Sequence, residues 1–159
     1  MDKKVYIYVG IMLVLISASF AWINREKEIA KSEVYTDKKM APIHLTKAEF
    51  ISKVANFEKN PTEWKYVGDK PCIIDFYASW CRPCKIVAPI MEDLAKDYYG
   101  QIYIYKVNID AEQEIASAYG IQSIPTIFFC PMNGTPQVVK GAMPKESFKK
   151  AITEVLLKK

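Results

Sequence analysis

Cys72-Ile73-Ile74-Asp75-Phe76-Tyr77-Ala78-Ser79-Trp80-Cys81-Arg82-Pro83-Cys84-Lys85 is the stretch on which the fold turns. Its first half is a nearly continuous apolar run, the pattern of a strand buried on both faces, with Asp75 as an anomaly inside it. The apolar neighbours on either side favour burial of that carboxylate over an edge or capping role. From Cys81 to Tyr98 the period changes: Ile86, Val87, Ile90, Met91, Leu94 and Ala95 recur at the spacing of an amphipathic helix, Pro89 predicts a kink within it, and Gly100 ends it. The C-x-x-C pair Cys81 and Cys84 thus falls at a strand-to-helix junction, on one face of the first turn, able to close as a disulfide or open as a dithiol. Unpaired N–H groups and the macrodipole at that N-terminus favour a thiolate, so Cys81 is the expected nucleophile, with a pKa below the free value of ~8.5. Pro83 is tolerated because first-turn N–H groups have no helical partner, and it stiffens the loop.

Working outward, Thr46-Lys47-Ala48-Glu49 has capping-box spacing and predicts a helix from Lys47 to about Glu58, after a short edge strand at Ile43 to Leu45. Gly68 to Pro71 marks the turn into the Cys72–Ala78 strand. Beyond the central helix, Ile102 to Ile109 reads as a strand, Asp110 as the cap of a helix through Tyr119, and Ile124 to Cys130 as a third strand. Asn133-Gly134 predicts a hairpin to a strand at Gln137 to Gly141, and Pro144 opens a last helix to Leu157. Strands separated by helices argue parallel pairing and the hairpin adds antiparallel edges. The fold class is α/β, a mixed central sheet of four to five strands flanked by helices on both faces.

The chain has 159 residues, of which 50% are hydrophobic and 25% charged, and its net charge is +4. Basic and acidic residues are interspersed, which leaves no electrostatic footprint for nucleic acid. The single histidine, His44, excludes multi-histidine metal sites and is read as structural or exposed. Four cysteines are too few for a disulfide-stapled mini-protein, and a four-cysteine zinc site would need a second C-x-x-C. No metal or other cofactor is called for. Cys72 and Cys130 both fall in predicted buried strands, where free cysteine behaves as a small hydrophobe. The competing reading is a second disulfide, which requires those strands to be antiparallel neighbours.

Val5 to Asn24 carries no formal charge and comes after Lys3 and Lys4. Twenty helical residues span ~30 Å, about one hydrocarbon thickness, so residues 1–24 are read as a signal anchor in a transmembrane helix. The alternative is a signal peptide cleaved after Ser19-Phe20-Ala21, which would leave a secreted or periplasmic protein. Flanking charges do not decide the orientation, but such a segment usually directs export of the chain downstream of it. Residues 25–41 are a polar, charge-mixed linker, and 42–159 form the folded domain.

These residues resemble the thioredoxin family: the run from Asp75 to Lys85, then Ala88-Pro89, Lys106-Val107-Asn108-Ile109-Asp110, Tyr119-Gly120-Ile121 and Ile124-Pro125-Thr126. The resemblance extends from about Ile43 to the C-terminus. It departs from the family pattern at Arg82, where the common dipeptide is Gly-Pro, and at Tyr77, where many members carry Trp. It implies a thioredoxin-like fold in which Cys81 attacks a substrate disulfide and Cys84, more buried, resolves the mixed disulfide. Asp75 would be a buried carboxylate behind Cys84 that exchanges the resolving thiol's proton, with Lys106 as its charge partner; on its own, Lys106 reads as a solvated residue. Pro125 would be a cis-proline facing the cysteines, leaving the Ile124 backbone free to bind an extended substrate. Trp80, Gly141 and Ala142 would line the apolar docking surface, with Arg82 and Pro83 beside them.

The expected function is extracytoplasmic reduction of protein disulfides by a monomer, tethered to the membrane by its N-terminal helix and supplied with electrons by a membrane donor. Arg82 pushes toward an oxidant, but an exposed charge is worth ~0.2–1 kcal/mol, or roughly 4–20 mV, against the ~150 mV separating thioredoxin from a strong oxidant. A disulfide oxidase or isomerase is the alternative, and a redox-silent binding module with idle cysteines is a third reading.

Overall fold

The computed structural model describes residues 20–32 and 40–158. Residues 20–32 are helical (α1), and among the described residues no helix is long and apolar enough to cross a membrane. Most of the predicted span, Val5 to Ser19, lies outside the described residues, as does much of the linker.

From residue 40 onward the chain forms one compact unit around a five-stranded sheet in the order β1-β3-β2-β4-β5. The strands are β1 (Ile43–His44), β2 (Cys72–Tyr77), β3 (Tyr103–Asn108), β4 (Thr126–Cys130) and β5 (Gln137–Lys140). β1, β3 and β2 run parallel, whereas β4 is antiparallel to both β2 and β5. The helices are α2 (Lys47–Lys53), α3 (Arg82–Asp97), α4 (Gln113–Ala118) and α5 (Lys145–Ala151), the last continued by a π-helical run over Ile152–Leu157.

β2 sits at the centre and is buried on both faces, which divides the core in two. Ile74, Phe76, Phe128 and Val107 pack with Phe50 and Val54 on one face. Ile73, Ile127 and Phe129 pack on the other face with Val87, Met91 and Leu94 of α3 and Phe148 of α5. The period-2 alternation of a strand and the apolar stripe of each helix account for both layers.

Several boundaries differ from the sequence reading. The first helix keeps its capping box, with Thr46 and Glu49 bonded reciprocally, but it ends at Lys53 and not near Glu58. Ala55 leaves it to bridge Tyr66, and Phe57 turns inward to meet Phe50 and Tyr119 edge-on. An aromatic cluster with Trp64 thus captures a segment that local periodicity assigned to the helix. The third strand begins at Thr126 and not at Ile124, since Pro125 has no N–H to donate to the ladder. Asp110 does not cap α4; Glu112 holds that position without a side-chain cap. Pro144 is the N-cap of α5, one residue before the predicted helix interior. α3 passes through Pro89 without interruption.

Candidate functional site

Three connections converge at the C-terminal end of β2. β2 leads through Ala78, Ser79 and Trp80 into α3, whose N-cap is Cys81. Cys81 and Cys84 are joined by a disulfide with their Cα atoms 5.3 Å apart. The Cys84 backbone N–H donates to Cys81 Sγ at 3.2 Å, so the first-turn donor that favours a thiolate is aimed at this sulfur. Both cysteines are 3% exposed, so the expected difference in their burial is not present in the disulfide form. They pack with Ala78, Ile109 and Ile124. Arg82 and Pro83 are exposed beside them.

Pro125 is joined to Ile124 through the cis peptide and is buried. Its carbonyl oxygen accepts from the Gly141 N–H at 2.8 Å, bringing the end of β5 to the cis-proline loop. Gly141 has φ of +90°, a conformation that favours glycine. Ala142 beside it is exposed. Trp80 is 67% exposed, and its indole Nε1–H donates to Asp110 Oδ2 at 3.0 Å. That role for Asp110 was not legible in sequence, since donor and acceptor lie far apart in the chain and no local pattern links them.

Asp75, in the middle of β2, is 0% exposed, and neither carboxylate oxygen has a hydrogen-bond partner among the described residues. Burial raises its pKa from 3.8 to about 6, with Lys106 pulling the other way. Lys106 is the register partner of Asp75 on β3. It is half-buried, not freely solvated, with its ammonium 4.5 Å from the centre of the Tyr77 ring. The Tyr77 hydroxyl in turn lies 3.1 Å from His44 Nδ1. His44 is thereby an exposed ring that orients a neighbour, and burial, with Lys106 as the smaller influence, lowers its pKa.

A buried strand, a C-x-x-C disulfide at a helix N-terminus, a buried carboxylate and a cis-proline loop together define a thioredoxin-type thiol–disulfide oxidoreductase. The thioredoxin family model matches residues 41–154, and the chain belongs to that family. It is 48% identical over 112 residues to the thioredoxin of Borreliella burgdorferi, covering 70% of this chain and 95% of that one. It is also similar to thioredoxin 1 of Nostoc, 40% identical over 88 residues covering 55% of this chain and 82% of that one. The chloroplastic M-type thioredoxin of spinach is 39% identical over 100 residues, 61% of this chain and 55% of that one. The activity is protein-disulfide reduction by a C-x-x-C dithiol mechanism.

Proposed function

We propose that this chain is a membrane-tethered reductase whose domain faces the extracytoplasmic side, acts as a monomer on protein disulfides and draws electrons from a membrane donor. The observation that carries the catalytic part is the Cys84 N–H aimed at Cys81 Sγ. In the dithiol state that bond and the α3 dipole favour the Cys81 thiolate. The thiolate attacks one sulfur of a substrate disulfide, forming a mixed disulfide and releasing the substrate's other sulfur as a thiolate. Cys84 then passes its proton through a water to Asp75, attacks Cys81 Sγ, closes the Cys81–Cys84 bond and frees the reduced substrate. Lys106 moderates the Asp75 carboxylate from β3, and the Ile124 backbone, Pro125, Gly141, Ala142, Trp80, Arg82 and Pro83 receive the substrate around the pair.

The location rests on the uncharged stretch from Val5 to Asn24 behind Lys3 and Lys4. Cell fractionation with protease protection tests it: a membrane-bound chain whose domain is cut from outside supports the reading, and a protected domain overturns it. A soluble exported chain lacking those residues would instead mean a cleaved signal peptide. Direction is tested by the equilibrium potential of the full chain in glutathione and dithiothreitol buffers. A transition below about −230 mV supports a reductase, whereas one near −120 to −180 mV makes it an oxidase or isomerase.

A further inference from the structure

Cys72 and Cys130 take no part in exchange at Cys81 and Cys84. Cys72 is the first residue of β2 and Cys130 the last of β4, and the antiparallel register places them directly opposite each other. Both are fully buried free thiols. They share the core layer of Ile74, Phe76 and Phe128, on the face of the sheet away from α3 and at the far end of β2 from Cys81. Tyr66, whose hydroxyl donates to the Lys70 carbonyl, packs against this layer with Trp64, so the segment between α2 and β2 covers the pair.

Directly opposed residues of an antiparallel pair have Cα atoms about 4.5–5.5 Å apart and side chains on the same face. That separation lies inside the roughly 4.4–6.8 Å spanned by disulfides. We infer that Cys72 and Cys130 are a second dithiol–disulfide couple, which a low-molecular-weight disulfide closes into a bond between β2 and β4. The exchange balances as two displacements. A thiolate of the pair attacks R–S–S–R, giving a mixed disulfide and one R–SH; the opposite cysteine then attacks that mixed disulfide, closing Cys72–Cys130 and releasing the second R–SH. Two electrons and two protons pass from the pair to the small disulfide. In the closed fold, burial and the adjacent Cys72 hold the Cys130 thiol protonated, so exchange proceeds through local opening of the covering segment. The bond would tie the strand that carries Asp75 to the strand that leaves Pro125. Neither Cys81 nor Cys84 is needed for it, so it stands or falls separately from the reductase reading.

The test uses the full-length chain carrying Cys81→Ser and Cys84→Ser, incubated with glutathione disulfide in urea below the unfolding midpoint, then unfolded, alkylated and weighed. The expected result is a mass lower by two hydrogens, no alkylatable thiol, and a cross-linked Cys72–Cys130 peptide pair. The rate should rise with urea, and the oxidised form should have a higher Tm, a gain absent when Cys130→Ser is added. The unmodified chain should lose four hydrogens in two separable steps, which guards against a folding defect in the double variant. Two thiols that persist at equilibrium, glutathione retained as a stable mixed disulfide, or a cross-link formed only above the unfolding midpoint would each overturn the inference.

Discussion

Lys106 and Asp75 are register partners on β3 and β2, yet the Lys106 ammonium rests on the Tyr77 ring while both Asp75 oxygens lack a hydrogen-bond partner among the described residues. The carboxylate is therefore influenced by a positive charge without being neutralised in an ion pair. That arrangement leaves burial as the larger effect, and the carboxyl's pKa is raised to about 6 from the ordinary 3.8.

Stability should fall as Asp75 ionises. Its folded pKa of about 6 lies above the ordinary 3.8, so the native state holds the proton longer; its contribution is intact below about pH 3.8 and is lost as pH rises through about 6. The difference corresponds to about 3 kcal/mol. Asp75→Asn should therefore gain about 2–3 kcal/mol more at pH 8 than at pH 4, measured by urea unfolding at both. An equal effect at the two pH values would contradict the burial argument.

Lys106→Gln removes the charge that pulls the Asp75 pKa down. The inflection that Asp75 gives to the pH dependence of disulfide reduction should move to higher pH, and Asp75→Asn should abolish it. A downward move would mean that Lys106 acts by some other route.

Trp80 and Asp110 are tied by one exposed hydrogen bond. Asp110→Ala should cost less than about 1 kcal/mol, because water replaces the lost partner. Its signature should be kinetic: KM for a protein disulfide rises several-fold with little change in kcat, as the indole is no longer held beside Cys81.

Cys84→Ser should accumulate a mixed disulfide between Cys81 and substrate, visible on non-reducing gels and lost on adding dithiothreitol. Cys81→Ser should form none. Trapping by Cys81→Ser in place of Cys84→Ser would reverse the assigned roles.

Phe57 belongs to the core although it lies beyond α2. Phe57→Ala should cost about 2–4 kcal/mol through lost contacts with Phe50 and Tyr119, whereas exposed Lys59→Ala should stay within about 0.5 kcal/mol. Comparable small effects would place Phe57 outside the packed cluster.

The sequence by itself determined the elements whose pattern is local. The apolar run of β2, the 3.6-residue stripe of α3 and the capping box at Thr46 were each legible because period and caps are properties of neighbouring residues. Cys81 at a helix N-terminus was legible for the same reason. The cis form of Ile124-Pro125 came only through family resemblance, since base rates favour trans. Tertiary structure alone decided where α2 ends, because Phe57 gains more from the aromatic cluster than from another helical turn. It also decided that Asp110 serves Trp80, that Lys106 lies on Tyr77 beside a hydroxyl paired with His44, and that Cys72 faces Cys130. Each of these is a contact between residues far apart in the chain. Strand order and register set such contacts, and no local periodicity encodes them.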